Sequence, residues 1–101
     1  MTGAEDVVRK KIQRTLTDLL LTDTHLAFTL LQTASIDSDI DPRQCEIALE
    51  RARVALASIR RFLLQVRDPA VRAEIGARAD ELEDMYRRRR MAAGPEKRAA
   101  G

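Results

Sequence analysis

The chain has 101 residues, a length that fits one domain with one hydrophobic core. Apolar residues make up 45% and charged residues 34%, but the formal net charge is only +2, which gives no strong electrostatic preference for nucleic acid. The single cysteine excludes an intrachain disulfide and a zinc site built from several cysteines.

The apolar segments are short, and none reaches the roughly 18 residues that span a bilayer. The first residues, MTGAEDVVRKKIQR, also lack the apolar segment of a secretion signal. We therefore expect a soluble protein of the cytoplasm.

Glycine and proline are scarce, at four and three residues, which is typical of an all-α protein. Two Asp-Pro pairs, at 41–42 and 68–69, each place a capping carboxylate before a proline in the first helical position. Gly94-Pro95 is typical of a helix stop. The sequence therefore predicts a single domain over 1–93 with helices over about 5–34, 42–66 and 69–93, and a disordered tail over 94–101.

The first helix has an apolar stripe from Val8 to Ala34, and Asp23 falls within it. An ionised carboxylate on a buried face needs a partner. Arg78 interrupts the stripe of the third helix at a similar level, so we predict a structural Asp23–Arg78 ion pair, with Asp23–Arg53 as the alternative. Two other interpretations stay open: an acid in a catalytic or ligand-binding pocket, and a helix kink at residues 22–24.

The only histidine, His25, falls on the side of the first helix opposite Asp23, so the two do not form an acid–base pair. No serine or cysteine lies at helical spacing on its face, and no second histidine could join it on a metal. The acidic segment DSDID before the second helix lacks the glycine and glutamate of a calcium loop. We therefore predict no catalytic residue, no cofactor and no metal.

Apolar side chains surround His25 on its outer face. Some of these side chains lie on the same face of the first helix as His25. Others lie on the second helix, on the side opposite its main apolar stripe. Such a patch indicates self-association or docking of a partner helix, although scattered surface apolar residues are common. The predicted partner interface consists of Leu21, His25, Phe28, Ile47 and Val54.

The second helix carries one continuous stripe that runs from Cys45 to Val66 at helical spacing. Cys45 lies in the first turn, where a helix dipole can lower the pKa of a thiol. Since it also begins the apolar stripe, we expect a buried structural cysteine.

The third helix ends in a run of four arginines, preceded four residues earlier by acids that can pair with some of them. The run gives the alternative function of phosphate-backbone contact with nucleic acid. It comprises Arg87, Arg88, Arg89 and Arg90.

Short connections make neighbouring helices antiparallel, so the sequence predicts an up-down-up three-helix bundle able to dimerise. The predicted function is a non-enzymatic protein–protein interaction module that self-associates. Its predicted partner is a second copy of the chain or another helical protein. The alternative is an accessory nucleic-acid-binding protein.

Overall fold

The computed structural model describes residues 2–37 and 41–100, and the side chains of 3–35 and 41–92. The chain forms helices α1 (Thr2–Asp37), α2 (Pro42–Leu63) and α3 (Pro69–Ala100). The described ranges contain no strand. The prediction of an all-α protein with three helices is thus confirmed.

Both Asp-Pro pairs cap a helix. Asp41 Oδ1 accepts hydrogen bonds from the backbone amides two and three residues further on, at 3.2 and 3.3 Å. Asp68 Oδ1 does the same for the start of α3, at 2.9 and 3.4 Å. Each carboxylate satisfies amides that have no partner within the helix, so α2 and α3 begin at the predicted prolines.

The other helix ends differ from the predicted ones. α2 ends at Leu63, after which Val66 turns inward and is 2% exposed in the corner before α3. α3 does not stop at Gly94-Pro95 but continues to Ala100, over most of the predicted disordered tail. A proline inside a helix loses one backbone hydrogen bond, but the alanines, lysine, arginine and glutamate around it are good helix formers. The connector residues 38–40 and the end of the tail, Gly101, lie outside the described residues.

The core lies where the three helices meet, and each helix packs against both others. Three of the eight buried residues of α2 are alanines, which allow close approach of a neighbouring helix. The large side chains with less than 2% exposure are Leu20, Leu31, Leu49, Ile59 and Ile75.

Hydrogen bonds between elements fix which segments meet. The Gln13 side chain of α1 donates to the Gln65 carbonyl at 3.1 Å and accepts from the Arg67 amide at 3.0 Å. Near the opposite end of α2, Glu46 accepts from Arg90 of α3 at 2.6 Å. The start of α1 therefore lies beside the α2–α3 corner, and the start of α2 lies beside the later part of α3.

Candidate protein-binding surfaces

Asp23 does not form the predicted ion pair. Its carboxylate is half-buried and has no hydrogen bond or ion pair with any described residue. Arg78 instead pairs with Glu74 on its own helix at 3.5 Å, and Arg53, the alternative partner, pairs with Glu50 at 2.6 Å. Each arginine has an acid three or four residues earlier on its own helix, a spacing that favours a local ion pair.

The direction of the α1 core face explains why Asp23 needs no buried partner. Leu20 lies at the centre of this face, with Thr24, Ala27 and Leu31 around it. Asp23 is turned about 60° from Leu20 and therefore lies at the edge of the core, where solvent reaches it. The helix also does not break at residues 22–24, because α1 runs through them as one helix, so Asp23 does not cap a second half-helix.

Four large side chains of the α1 stripe point away from the core, although the sequence pattern placed them in it. They form a row on one side of the helix, which we call the Leu19 strip. The apolar stripe of α1 is wider than the face that α2 and α3 together cover, so one edge of it stays exposed. The strip consists of Val8, Ile12, Leu19 and Leu26, which are 54%, 58%, 53% and 49% exposed.

An open groove of about 570 Å³ lies between α1 and α3. Leu21, His25 and Phe28 line it on α1, and Leu82 and Met85 line it on α3. Leu21 and Phe28 point about 160° or more away from Leu19, so the groove and the Leu19 strip lie on opposite sides of α1. We call this feature the α1–α3 groove.

The structure divides the predicted partner interface. Leu21, His25 and Phe28 meet in the α1–α3 groove, but Ile47 and Val54 of α2 are not among its lining residues. These two side chains are 36% and 53% exposed on α2. The second wall of the groove is α3, which the sequence analysis had not assigned to the interface.

His25 and Cys45, the two residues that the sequence analysis considered for chemistry, lie on different helices. The His25 ring has no hydrogen-bond partner among the described side chains. Cys45 is buried in the first turn of α2. No three His, Cys, Asp or Glu residues of the described ranges form a group that could hold a metal ion.

Three of the four arginines predicted to contact nucleic acid bind carboxylates of this chain. The hydrogen bond from Arg90 to Glu46 raises the pKa of Arg90. The fourth, Arg89, is half-buried, and its Nε is enclosed without a hydrogen-bond partner among the described residues. The three ion pairs are Arg87–Glu83 at 3.7 Å, Arg88–Asp84 at 2.5 Å and Arg90–Glu46 at 2.6 Å.

Comparisons with known proteins add no identification. No protein-family model matches the chain, and neither the curated proteins nor the solved structures provide a significant match. Within the part of the chain that the structure describes, no helix combines the length and apolarity needed to cross a membrane.

Proposed function

We propose that this chain is a non-enzymatic helical module that acts by contacting other protein chains and that self-associates. The observation that carries the proposal is the apolar surface of α1 that α2 and α3 leave uncovered. Among the described residues, seven of the eleven exposed large apolar side chains lie on this one helix. Uncovered apolar surface of this kind marks contact sites on small proteins.

The contacts between helices support an up-down-up antiparallel bundle as the scaffold. Gln13 joins the start of α1 to the end of α2, and Arg90 joins the later part of α3 to the start of α2. In that arrangement α1 has two neighbours on one side only. Its remaining circumference presents the Leu19 strip and one wall of the α1–α3 groove.

The arginine run supports nucleic-acid binding only weakly, because most of its guanidinium groups already pair with carboxylates of this chain. Arg87 and Arg88 pair within α3, and Arg90 joins α3 to α2. A nucleic acid would have to replace these carboxylates as the partner of each guanidinium group. Apolar contact with protein therefore has the stronger structural basis.

Sedimentation velocity over a range of protein concentrations tests the proposal. We expect a species heavier than the 11.4 kDa chain. Two variants place an aspartate on an apolar surface: Phe28→Asp in the groove and Leu19→Asp in the strip. The variant whose surface forms the contact should weaken the assembly. Ala73→Asp is the matched control, because Ala73 is exposed and points away from the α3 core.

Two outcomes would contradict the proposal. One is a wild-type protein that stays monomeric at every concentration and recovers no partner by affinity capture. The other is an assembly that neither aspartate variant weakens. Salt-sensitive binding of generic DNA or RNA in fluorescence anisotropy would instead favour the nucleic-acid alternative.

A further inference from the structure

The exposed apolar row of α1 is symmetric about Leu19. Ile12 and Leu26 lie seven residues to either side of it, and Val8 and Leu30 lie eleven to either side. Leu30 is half-buried at the edge of the core, and the other four are exposed. Residues equidistant from Leu19 deviate from its direction by equal and opposite angles. A rotation of α1 by 180° about an axis that is perpendicular to the helix and passes through Leu19 therefore places each residue of the row on the position of an apolar residue of the row.

A two-fold axis perpendicular to α1 at Leu19 would place apolar side chains opposite one another on two copies. Ile12 would meet Leu26 of the second copy, Val8 would meet its Leu30, and the two Leu19 side chains would meet on the axis. From Val8 to Leu30 the contact would span about 33 Å of helix. A self-complementary surface of this kind is what a symmetric dimer requires.

Two polar side chains beside the Leu19 strip agree with the same axis. Asp23 and Thr15 each lie four residues from Leu19. Asp23 lacks a partner among the described residues, and so does the exposed Thr15 hydroxyl. In the symmetric pair Thr15 would lie at the same level as Asp23 of the second copy, each turned about 40° from the direction of Leu19, and Thr15 could donate a hydrogen bond across the contact to that carboxylate.

Thr15 differs in this respect from the other threonines described in α1. Each of the others donates its hydroxyl to a backbone carbonyl three or four residues earlier, as serine and threonine commonly do in helices. These back-bonded residues are Thr17, Thr22, Thr24, Thr29 and Thr33. Thr15 therefore keeps a hydroxyl donor available at the position that the axis pairs with Asp23.

The charges of α1 favour the antiparallel over the parallel orientation. Residues 9–14 contain four cations and no acid, whereas 15–37 contain Asp18, Asp23 and Asp37 but no lysine or arginine. A parallel pair would place the two basic segments side by side. An antiparallel pair separates them, and each lies beside a part of the other copy that carries no lysine or arginine.

We infer that two copies of this chain associate through the Leu19 strip, with their α1 helices antiparallel and Leu19 on the two-fold axis. This inference rests on the proposed self-association and names its surface and register. The α1–α3 groove stays open in such a dimer, because it lies on the opposite side of α1.

Disulfide trapping tests the register. Helix axes 8–10 Å apart bring Cα atoms on the axis to within about 5 Å, which a disulfide can bridge. In a Cys45→Ala background, Leu19→Cys should oxidise to a covalent dimer. Ile12→Cys and Leu26→Cys should each stay uncrosslinked alone but crosslink when mixed. Crosslinking of each single variant would instead show a parallel pair and overturn the inference.

A charge exchange gives a second test that needs no cysteine and no change in the core. Thr15→Asp should weaken dimerisation about tenfold, because it places a second carboxylate near Asp23 of the second copy, and adding Asp23→Lys should restore it. Residues 15 and 23 are about 12 Å apart along one helix, so an intrachain contact cannot explain the rescue. Absence of rescue, with no Leu19 crosslink, would overturn the inference.

The outcomes separate this inference from the proposed function. A wild-type assembly that Leu19→Asp leaves intact and Phe28→Asp weakens would reject the Leu19 axis while keeping self-association. A wild-type monomer that still captures another protein would reject the dimer while keeping a binding role. A monomer that captures nothing would reject both.

Discussion

Arg60 of α2 donates a hydrogen bond from Nε to the Glu83 carboxylate of α3 at 2.9 Å, and the two side chains are 35% and 32% exposed. Arg60 also donates from Nη2 to Asp80 at 2.5 Å. The hydrogen bond from Arg60 lowers the pKa of Glu83 below its ordinary value of 4.5, although desolvation acts in the opposite direction. This group of charges joins the last turn of α2 to the middle of α3.

The Arg60 group should make stability depend on pH in a defined direction. Because the pKa of Glu83 is lower in the folded than in the unfolded chain, its contribution is complete above pH 4.5 and is lost as the pH falls through the folded pKa. Arg60→Met should cost about 1 kcal/mol of unfolding free energy at pH 7, and less at pH 3.

Urea unfolding at the two pH values measures this difference. Arg51→Met is the control, since Arg51 is exposed and has no ion pair within the described residues. A cost for Arg60→Met that stays constant from pH 7 to pH 3 would argue against a charge contribution from this group.

Gln13 should matter more for stability than an exposed glutamine usually does. Its amide nitrogen and oxygen satisfy a backbone carbonyl and a backbone amide of the α2–α3 corner. Gln13→Ala should therefore cost about 1–2 kcal/mol in denaturant unfolding. Gln13→Glu keeps the acceptor for the Arg67 amide but loses the donor to the Gln65 carbonyl, so we expect an intermediate cost. Equal stabilities of all three proteins would show that the corner does not depend on these bonds.

The Asp68 cap should be replaceable by another capping residue. Asp68→Ala removes the acceptor for two amides of the first turn of α3 and should cost about 1 kcal/mol in thermal or urea unfolding. Asp68→Asn should cost much less, because the asparagine side-chain oxygen can accept the same bonds. If both variants lost stability equally, the effect would come from the charge and not from the cap.

The sequence predicted the corners of this fold well because their cause is local. Asp41 and Asp68 accept hydrogen bonds from amides two and three residues away, and proline follows each of them. Gln13 could not have been found in the same way. Its partners are 52 and 54 residues further along the chain and meet it only after the helices pack.

The sequence could not determine which part of the α1 stripe faces the core. Helical periodicity gave the direction of the stripe, but a stripe wider than the covered face leaves its orientation to the positions of α2 and α3. The pattern placed Leu19 and Leu26 inside, whereas they are exposed, and it led to the prediction of an ion pair between Asp23 and Arg78. Because the pattern placed this row in the core, the sequence alone gave no reason to consider it as a symmetric contact surface about Leu19.

Gly76 offers a stabilising substitution inside α3. A Cβ atom added to this glycine would meet Leu63 Cδ2 of α2 at 3.6 Å, which is ordinary van der Waals contact. Glycine inside a helix is less favourable than alanine by about 1 kcal/mol, so Gly76→Ala should raise the unfolding free energy by about 0.5–1 kcal/mol. For a chain of this size that corresponds to a melting temperature several degrees higher, measurable by circular dichroism.

Gly3→Ala is the matched control for this substitution. A Cβ at Gly3 would meet no atom within 4 Å, and the residue lies in the first turn of α1, where helix ends fray and the gain should be smaller. A loss of stability in Gly76→Ala would mean that α2 and α3 approach more closely at Leu63 than the structure shows. The helices would then depend on glycine at this crossing because of its small size.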